Sequence, residues 1–160
     1  MTIVAARIDE RMIHGQVATV WSNTVGAERI MVVNDKVVHD DMEIAGLKMA
    51  RPAGKRLAIS SIDKALVNLQ PGAKYDGERV FVITRNVADM AALIDGGAPI
   101  KEFNIGNISA KPGSKKIKAS VNLTDDDIAT LRRLLAAGIK ITAQMVPNES
   151  NASVETYLHD

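Results

Sequence analysis

The chain contains no cysteine. Disulfide bonds, thiolate zinc sites and cysteine nucleophiles are therefore excluded, and the composition suits a reducing cytoplasm. Aromatic residues make up only 3% of a sequence that is 46% hydrophobic, so the core must be aliphatic. No apolar stretch approaches the roughly 20 residues that a membrane-spanning helix needs, and the apolar run at the amino terminus is too short for a signal peptide. We therefore predict a cytoplasmic protein.

Net charge is also nearly absent, because 20 Lys and Arg residues face 19 Asp and Glu residues. Whole-molecule attraction to nucleic acid or to an anionic membrane is not implied, so any anion site must be local. The basic run KPGSKKIK, residues 111–118, lacks interleaved aromatic residues and is predicted to be a solvated loop, not a nucleic-acid site. No pair of potential ligands has the spacing of a zinc site. Neither a metal nor a nucleic acid is expected.

What the sequence does contain is an alternation of short aliphatic runs and longer amphipathic runs. The runs IMVV and VFVI are apolar on both faces, which is typical of strands covered by helices on each side of a parallel sheet. The predicted class is α/β: one domain of residues 1–160, with an open, twisted, mostly parallel sheet of about seven strands and helices on both faces. The predicted strands are Ile3–Ala6, Arg29–Val33, Leu57–Ser60, Val80–Thr84, Glu102–Ile105, Ala119–Val121 and Lys140–Met145. The predicted helices are Gln16–Asn23, Asp41–Ala50, Ile62–Asn68, Val87–Asp95 and Asp125–Ala137, the last with Thr124 as N-cap and Gly138 as its stop.

Polar residues follow several of these strands. In open α/β sheets, ligands bind beyond the carboxyl ends of the strands, near the point where the strand order reverses. The residues at this rim are Arg7 to His14, Asn34-Asp35, Thr84-Arg85-Asn86 and Asn104 to Asn107. Those that we predict to bind phosphate or to line its loop are Gly15, Gln16, Asp35, Thr84, Asn104 and Gly106, although Gly106 alone is a weak phosphate-loop signal.

His14 is the candidate reactive residue. It precedes Gly15 and Gln16, where the first helix is predicted to begin, so its ring would lie near unpaired backbone N–H groups and the positive end of the helix dipole, which is an anion site. A histidine at such a site can accept a phosphoryl group, or it can remain neutral and only bind phosphate. The alternative is a core or capping histidine flanked by ordinary surface ion pairs.

The charged residues around His14 fit an anion site. Arg7 and Arg11 supply guanidinium donors suited to phosphate oxygens. Asp9 or Glu10 could hold an arginine, or could accept a hydrogen bond from one ring nitrogen and leave the other as a nucleophile. They could also be no more than arginine partners at the surface.

The two other histidines are predicted to have no catalytic role. His39 precedes a helix for which Asp40 or Asp41 is the expected cap. His159 falls in a tail that is predicted to fray.

The stretch RIDERMIHGQVATVW, residues 7–21, resembles the amino terminus of enzyme IIB of the mannose-fructose-sorbose family. That family belongs to the bacterial phosphoenolpyruvate-dependent sugar phosphotransferase system. The resemblance covers almost the whole chain, and the run R-x-D-x-R-x-x-H-G-Q is highly specific. Later landmarks match in the same order: IMVVNDKV, KYDGERVFVIT, FNIGNI and VNLTDDDIATLRRLLAAGIKI. One departure is Asn107, because many members carry two glycines where this chain has Gly106 and Asn107; it resembles galactosamine-type branches.

The resemblance implies a phosphocarrier. The family histidine falls on His14, which would take a phosphoryl group from the phosphohistidine of a IIA partner and pass it to sugar entering through the membrane subunits IIC and IID. Arg7, Asp9 and Arg11 match charged positions of the active loop. No metal or organic cofactor is implied, and the chain would associate peripherally with the membrane subunits during transfer. Homo-oligomer formation is left open, as are two rivals: an α/β regulator that senses a phosphorylated metabolite, and a hydrolase that uses His14.

Overall fold

Strands and helices alternate along residues 2–145 and 152–158, the part of the chain that this computed structural model describes. The strands are β1 (Thr2–Asp9), β2 (Arg29–Val33), β3 (Arg56–Ser60), β4 (Arg79–Thr84), β5 (Glu102–Asn107), β6 (Lys115–Lys118), β7 (Val121–Leu123), β8 (Lys140–Ala143) and β9 (Ala152–Ser153). The α-helices are α1 (Gly15–Thr24), α2 (Asp41–Ala50), α3 (Ile62–Asn68), α4 (Val87–Asp95) and α5 (Asp125–Ala136). Short 3₁₀ helices cover Val37–His39 and Val154–Tyr157.

The central sheet has the strand order β3-β2-β4-β1-β5-β8-β9. Its strands pair in parallel from β3 to β8, and β9 joins the edge in the antiparallel direction. Strands β6 and β7 form a separate antiparallel pair. The predicted α/β class, with a mostly parallel sheet of about seven strands, is confirmed.

Strands β2 and β4 are buried on both faces, as the unbroken apolar runs predict. Met31 and Val33 pack into one cluster of buried side chains with α3, α4 and α5, whereas Ile30 and Val32 pack into a second cluster with α1 and α2. Successive side chains of a strand point to opposite faces of the sheet. Helices therefore cover both faces of the sheet, and the rim is where polar side chains can gather.

The predicted helix caps are present. Thr124 accepts a hydrogen bond from the backbone of Asp127 and forms a capping box with it, and Gly138 follows the helix with a φ of 92°. Asp40 caps α2 by accepting from the backbone N–H of Glu43. His39 is exposed at the end of a 3₁₀ helix directly before this cap, so its neighbourhood is that of a helix start with an acidic cap.

Two parts of the strand prediction are wrong. Ala119 and Ser120 form the turn of the β6–β7 hairpin, so of the strand predicted at Ala119–Val121 only Val121 is in a strand, as the first residue of β7. The second half of the run at 111–118 is strand β6 and not loop. Ile117 is the only apolar residue of β6, which left the run without a strand signal. The strand predicted to reach Met145 ends at Ala143, and β9 was not predicted. None of the helices in the described ranges is long and apolar enough to cross a membrane.

Candidate functional site

The strand order reverses between β1 and β4. From β1 the chain passes through α1 to β2 on one side of the sheet, and from β4 it passes through α4 to β5 on the other. Ile8 is in register with Thr84 of β4 and with Ile105 of β5, so the three strands end at the same level. The loop that follows β1 therefore lies where ligands bind in open α/β sheets.

The loop after β1 turns sharply and leaves His14 at the surface. Met12 has a φ of 61°, in the left-handed region that few non-glycine residues adopt, and its N–H donates to the carbonyl of Asp9. The side chains of Met12 and Ile13 are buried against the core. His14, the next residue, is exposed. The apolar residues before the histidine thus anchor the loop and present the imidazole to solvent.

Asp9 is the centre of the charged residues in this loop. It is 1% exposed. Its carboxylate accepts from Nη2 of Arg7 at 3.3 Å, and from Nε, Nη2 and the backbone N–H of Arg11 at 3.1, 3.2 and 3.0 Å. In this geometry Asp9 is an arginine partner, one of the two roles predicted for it. Hydrogen bonds to a buried carboxylate are strong and geometrically defined, so Asp9 fixes the direction of Arg11.

Arg7 is a buried arginine and points into the protein. It is 2% exposed, and its guanidinium donates to Oδ1 of Asn104 at 2.6 Å and to the carbonyls of Gln144 and Met145, each at 2.8 Å. Its Cζ atom lies 4.8 Å from the ring centroid of Trp21. The guanidinium group therefore joins β1 to β5, to α1 and to the end of β8. This geometry suits a residue that supports the loop more than one that reaches phosphate directly.

Gly106 makes room for Arg7. A Cβ atom at this position would lie 1.9 Å from Nη2 and 2.1 Å from Cζ of Arg7, far inside van der Waals contact. Asn104, two residues earlier on β5, is held in turn by the hydroxyl of Thr142, which accepts from its Nδ2. The predicted rim residues Asn104 and Gly106 therefore hold Arg7 in place, Asn104 by a hydrogen bond and Gly106 by leaving space for the guanidinium group.

We expect Gly106→Ala to destabilise the fold, because the added methyl group must displace a buried, fully engaged guanidinium group. The expected loss in the free energy of unfolding is about 1–3 kcal/mol, the usual cost of overpacking a core. Urea unfolding of the variant and of Gly46→Ala measures it. Gly46 is a matched control for the added methyl group, because it is exposed in α2 and nothing lies within 4 Å of a Cβ there. A Gly106→Ala protein as stable as the wild type would contradict this account.

Arg11 differs from Arg7 in exposure. Its side chain is 27% exposed and holds Asp9 through Nε and Nη2. Its Nη1 atom has no hydrogen-bond partner among the residues of 2–145 and 152–158. A guanidinium group with a fixed direction and a free donor at the surface, three residues before His14, is well placed to receive an anion.

The amino terminus of α1 is open to an anion. His14 is the N-cap, but its side chain makes no capping hydrogen bond, and the first turn contains no acidic residue. The other α-helices of the described part of the chain all have a side-chain cap. Gly15 and Gln16, both exposed, begin the helix. Their N–H groups belong to the first turn, which has no intrahelical acceptor for them, and they lie at the positive end of the helix dipole directly after His14, which favours a bound anion.

A polar cleft of about 530 Å³ opens next to this loop. Its lining residues are Glu10, Asn34, Asp35, Lys36, Arg85, Asn86, Asp89 and Lys111. Partial burial raises the pKa of Glu10, but hydrogen bonds from Ser109 and Lys111 outweigh it, and the pKa lies below its ordinary value. Burial raises the pKa of Asp89, against a hydrogen bond from Asn34.

The remaining predicted residues, Asp35 and Thr84, form hydrogen bonds with groups outside the arginine network. Asp35 is exposed at the cleft, where its carboxylate accepts from the backbone N–H of Ile62 at 2.8 Å. Thr84 is fully buried, and its hydroxyl donates to the carbonyl of Asn86. Residues 2–145 and 152–158 contain no group of three or more His, Asp or Glu side chains that could hold a metal ion.

Comparison with known proteins identifies the family. The family described as "PTS system sorbose subfamily IIB component" matches residues 3–160. The chain is 36% identical to the sorbose-specific EIIB component of Lacticaseibacillus casei, over 96% of this chain and 93% of that protein. It is 33% identical to the mannose-specific EIIAB component of Escherichia coli strain K12, over 93% of this chain and 46% of that longer protein. The crystal structure of the IIBSor domain of the sorbose permease from Klebsiella pneumoniae superposes with a TM-score of 0.92 at 34% identity, covering 99% of this chain and 96% of that one.

The chain belongs to the sorbose subfamily of phosphotransferase system IIB components. The resemblance to the mannose-fructose-sorbose family is confirmed, and with it a general role in phosphoryl transfer during sugar import.

Proposed function

We propose that this chain is a phosphocarrier that accepts a phosphoryl group from the phosphohistidine of a IIA protein onto His14. It then passes the group to sugar that enters through the membrane subunits IIC and IID, at the cytoplasmic face of the membrane. Residues 1–160 act together as one IIB domain. The observation that carries this proposal is the exposed His14 at the uncapped start of α1, beside an arginine held by a buried carboxylate. The EIIAB name of the E. coli relative, which pairs IIA with IIB, supports the choice of partner.

In the proposed reaction, the neutral imidazole of His14 attacks phosphorus through Nδ1, the nitrogen that the family resemblance favours. The new N–P bond forms as the N–P bond to the IIA histidine breaks, and that histidine leaves with the bonding electron pair. Because donor and acceptor are both imidazoles, the reaction is nearly symmetric, and positioning and charge stabilisation supply most of the catalysis. No metal or organic cofactor takes part in this proposal.

The surrounding residues have distinct proposed roles. Arg11 donates to the transferring phosphoryl oxygens, and Asp9 holds Arg11 in place. The N–H groups of Gly15 and Gln16 bind the same oxygens at the helix start. Arg7 donates to Asp9 from the buried side of the loop and holds that carboxylate in position. We assign the choice of sugar to IIC and IID, as the family resemblance implies.

The proposal is tested by incubating the purified chain with phosphorylated IIA and no added metal. We expect the label to move to this chain, to map to the peptide that contains His14, and to show the acid lability and base stability of a phosphoramidate. Discharge should then require membranes that contain IIC and IID together with sugar. Rapid release of inorganic phosphate without those partners would instead favour a hydrolase.

The isolated protein should show no measurable affinity for unphosphorylated hexoses. The site is built of ions and amides, and aromatic residues, which commonly stack on sugar rings, make up only 3% of the chain. Isothermal titration with sorbose, mannose, fructose and N-acetylgalactosamine checks this expectation. Specific binding of any of them would count against the phosphocarrier and favour a sugar-sensing regulator.

A further inference from the structure

Trp21 is the only tryptophan of the chain and lies in the helix that begins beside His14. Its side chain is buried, with 8% of the residue exposed. Its indole N–H donates to the carbonyl of Met145 at 2.8 Å, and its ring faces the guanidinium of Arg7 at 4.8 Å. The ring thus contacts the arginine that supports the active loop, from the helix that carries the histidine.

Trp21 and Arg7 share one acceptor. The carbonyl oxygen of Met145 accepts hydrogen bonds from Nε1 of Trp21 and Nη2 of Arg7, each at 2.8 Å. The tryptophan ring also covers the guanidinium group and excludes water from that side, which strengthens the cation–π contact and the hydrogen bonds of Arg7. Three separate parts of the chain, namely β1, α1 and the segment after β8, are therefore fixed at one point.

Hydrogen bonds connect this point to the surface. Nη2 of Arg7 donates to Oδ2 of Asp9, and the same oxygen accepts from Nη2 of Arg11. A shift of Arg7 therefore moves Asp9, and a shift of Asp9 turns Arg11. Trp21 stands at the inner end of this series and Arg11 at the outer end, next to the place where phosphate is transferred in the proposed function.

We propose that Trp21 is a positioning residue for phosphoryl transfer to His14. It acts in two ways: it holds Arg7, and through it Asp9 and Arg11, in the orientation that receives phosphate, and it fixes α1 against the strand ends so that His14 faces that phosphate. The proposal rests on the proposed function for the reaction that it serves. Trp21 itself does not contact the reacting atoms.

The test compares Trp21→Phe and Trp21→Leu with Tyr75→Leu. Tyr75 is a matched control, because it is 6% exposed and its ring also lies on an arginine, Arg29, at 4.4 Å, but at the opposite end of the sheet. Trp21→Leu and Tyr75→Leu each lose a buried aromatic ring and its cation–π contact. Trp21→Phe keeps one aromatic ring, but loses the hydrogen bond to Met145 and part of the buried volume of the indole. Urea unfolding at the assay temperature checks that every variant is folded there.

We expect kcat for transfer from phosphorylated IIA to fall about 10-fold in Trp21→Phe and about 100-fold in Trp21→Leu, the range found when a supporting residue or a small displacement disturbs a site. KM for IIA should stay within about twofold, because the partner still docks. Tyr75→Leu should keep kcat within about twofold of the wild type. Equal rates in Trp21→Leu and Tyr75→Leu would overturn the proposal.

Two further measurements separate this inference from the proposed function. Because Trp21 acts partly through Arg11 and partly through α1, the double variant Trp21→Leu/Arg11→Ala should lose less than the product of the two single losses, and full multiplication of those losses would overturn the proposal. Amide hydrogen exchange needs no transfer at all. It should accelerate at residues 9–16 in Trp21→Leu and not in Tyr75→Leu, and unchanged exchange there would overturn the proposal even if His14 is labelled normally.

Discussion

Replacing His14 with alanine will abolish phosphoryl transfer from phosphorylated IIA to this chain. No other described side chain combines an exposed imidazole with an uncapped helix start and an arginine oriented by a buried carboxylate. Because His14 is exposed and makes no capping hydrogen bond, the change in the free energy of unfolding should stay within about 0.5 kcal/mol. Radiolabelling from phosphorylated IIA, with urea unfolding in parallel, measures both quantities.

His39→Ala is the matched control. His39 is also exposed and also stands near a helix start, but there Asp40 already caps the helix and the first turn is acidic, which disfavours an anion. Labelling of His39→Ala should equal that of the wild type. His159 lies outside the described residues, and the expectation from sequence that His159→Ala labels normally stands. Labelling of His14→Ala at any other residue would show that the proposed mechanism is wrong.

The parts of the fold that the sequence predicts are those set by local pattern. The buried strands β2 and β4 contain the unbroken apolar runs IMVV and VFVI, and α5 carries its own start and stop residues, Thr124 and Gly138. The β6–β7 hairpin depends instead on pairing between residues such as Lys115 and Leu123, which no periodicity within either segment indicates. Strand β9 likewise forms only by pairing with β8.

The site shows the same division. The motif places His14 at a helix start, and the structure agrees. The first strand is predicted to end at Ala6, before the charged Arg7, whereas β1 continues to Asp9. That extension carries Arg7 and Asp9 into the sheet, with alternation placing them on the same side. The partner of Trp21 is Met145, 124 residues away in sequence, so no motif could identify that contact.

Arg7 and Arg11 look equivalent in the sequence, but their alanine variants should have different effects: Arg7→Ala should mainly lower stability, and Arg11→Ala should mainly slow transfer. Arg7→Ala leaves an amide oxygen and two carbonyls without their buried donor and removes one partner of Asp9. Removing one partner from a buried ionic contact typically costs on the order of 3–5 kcal/mol. We expect a loss of that size in the free energy of unfolding, measured with urea, before any effect on transfer is considered.

Arg11→Ala should slow phosphoryl transfer more than it lowers the free energy of unfolding. Its side chain is partly exposed, so water can replace its donors to the buried carboxylate of Asp9, which keeps Arg7 and the backbone N–H of Arg11 as partners. We expect a loss in the free energy of unfolding of about 1–3 kcal/mol, smaller than that of Arg7→Ala. The loss of its donors to the phosphoryl oxygens should cost about 2–4 kcal/mol of transition-state stabilisation, by analogy with the removal of one oxyanion donor, and slow transfer about 100- to 1,000-fold. Arg11→Lys keeps the charge but cannot span both oxygens of Asp9, so its transfer rate should lie between those of the wild type and Arg11→Ala. Transfer at the wild-type rate by folded Arg11→Ala protein would remove Arg11 from the mechanism and leave the helix start of α1 as the phosphate site.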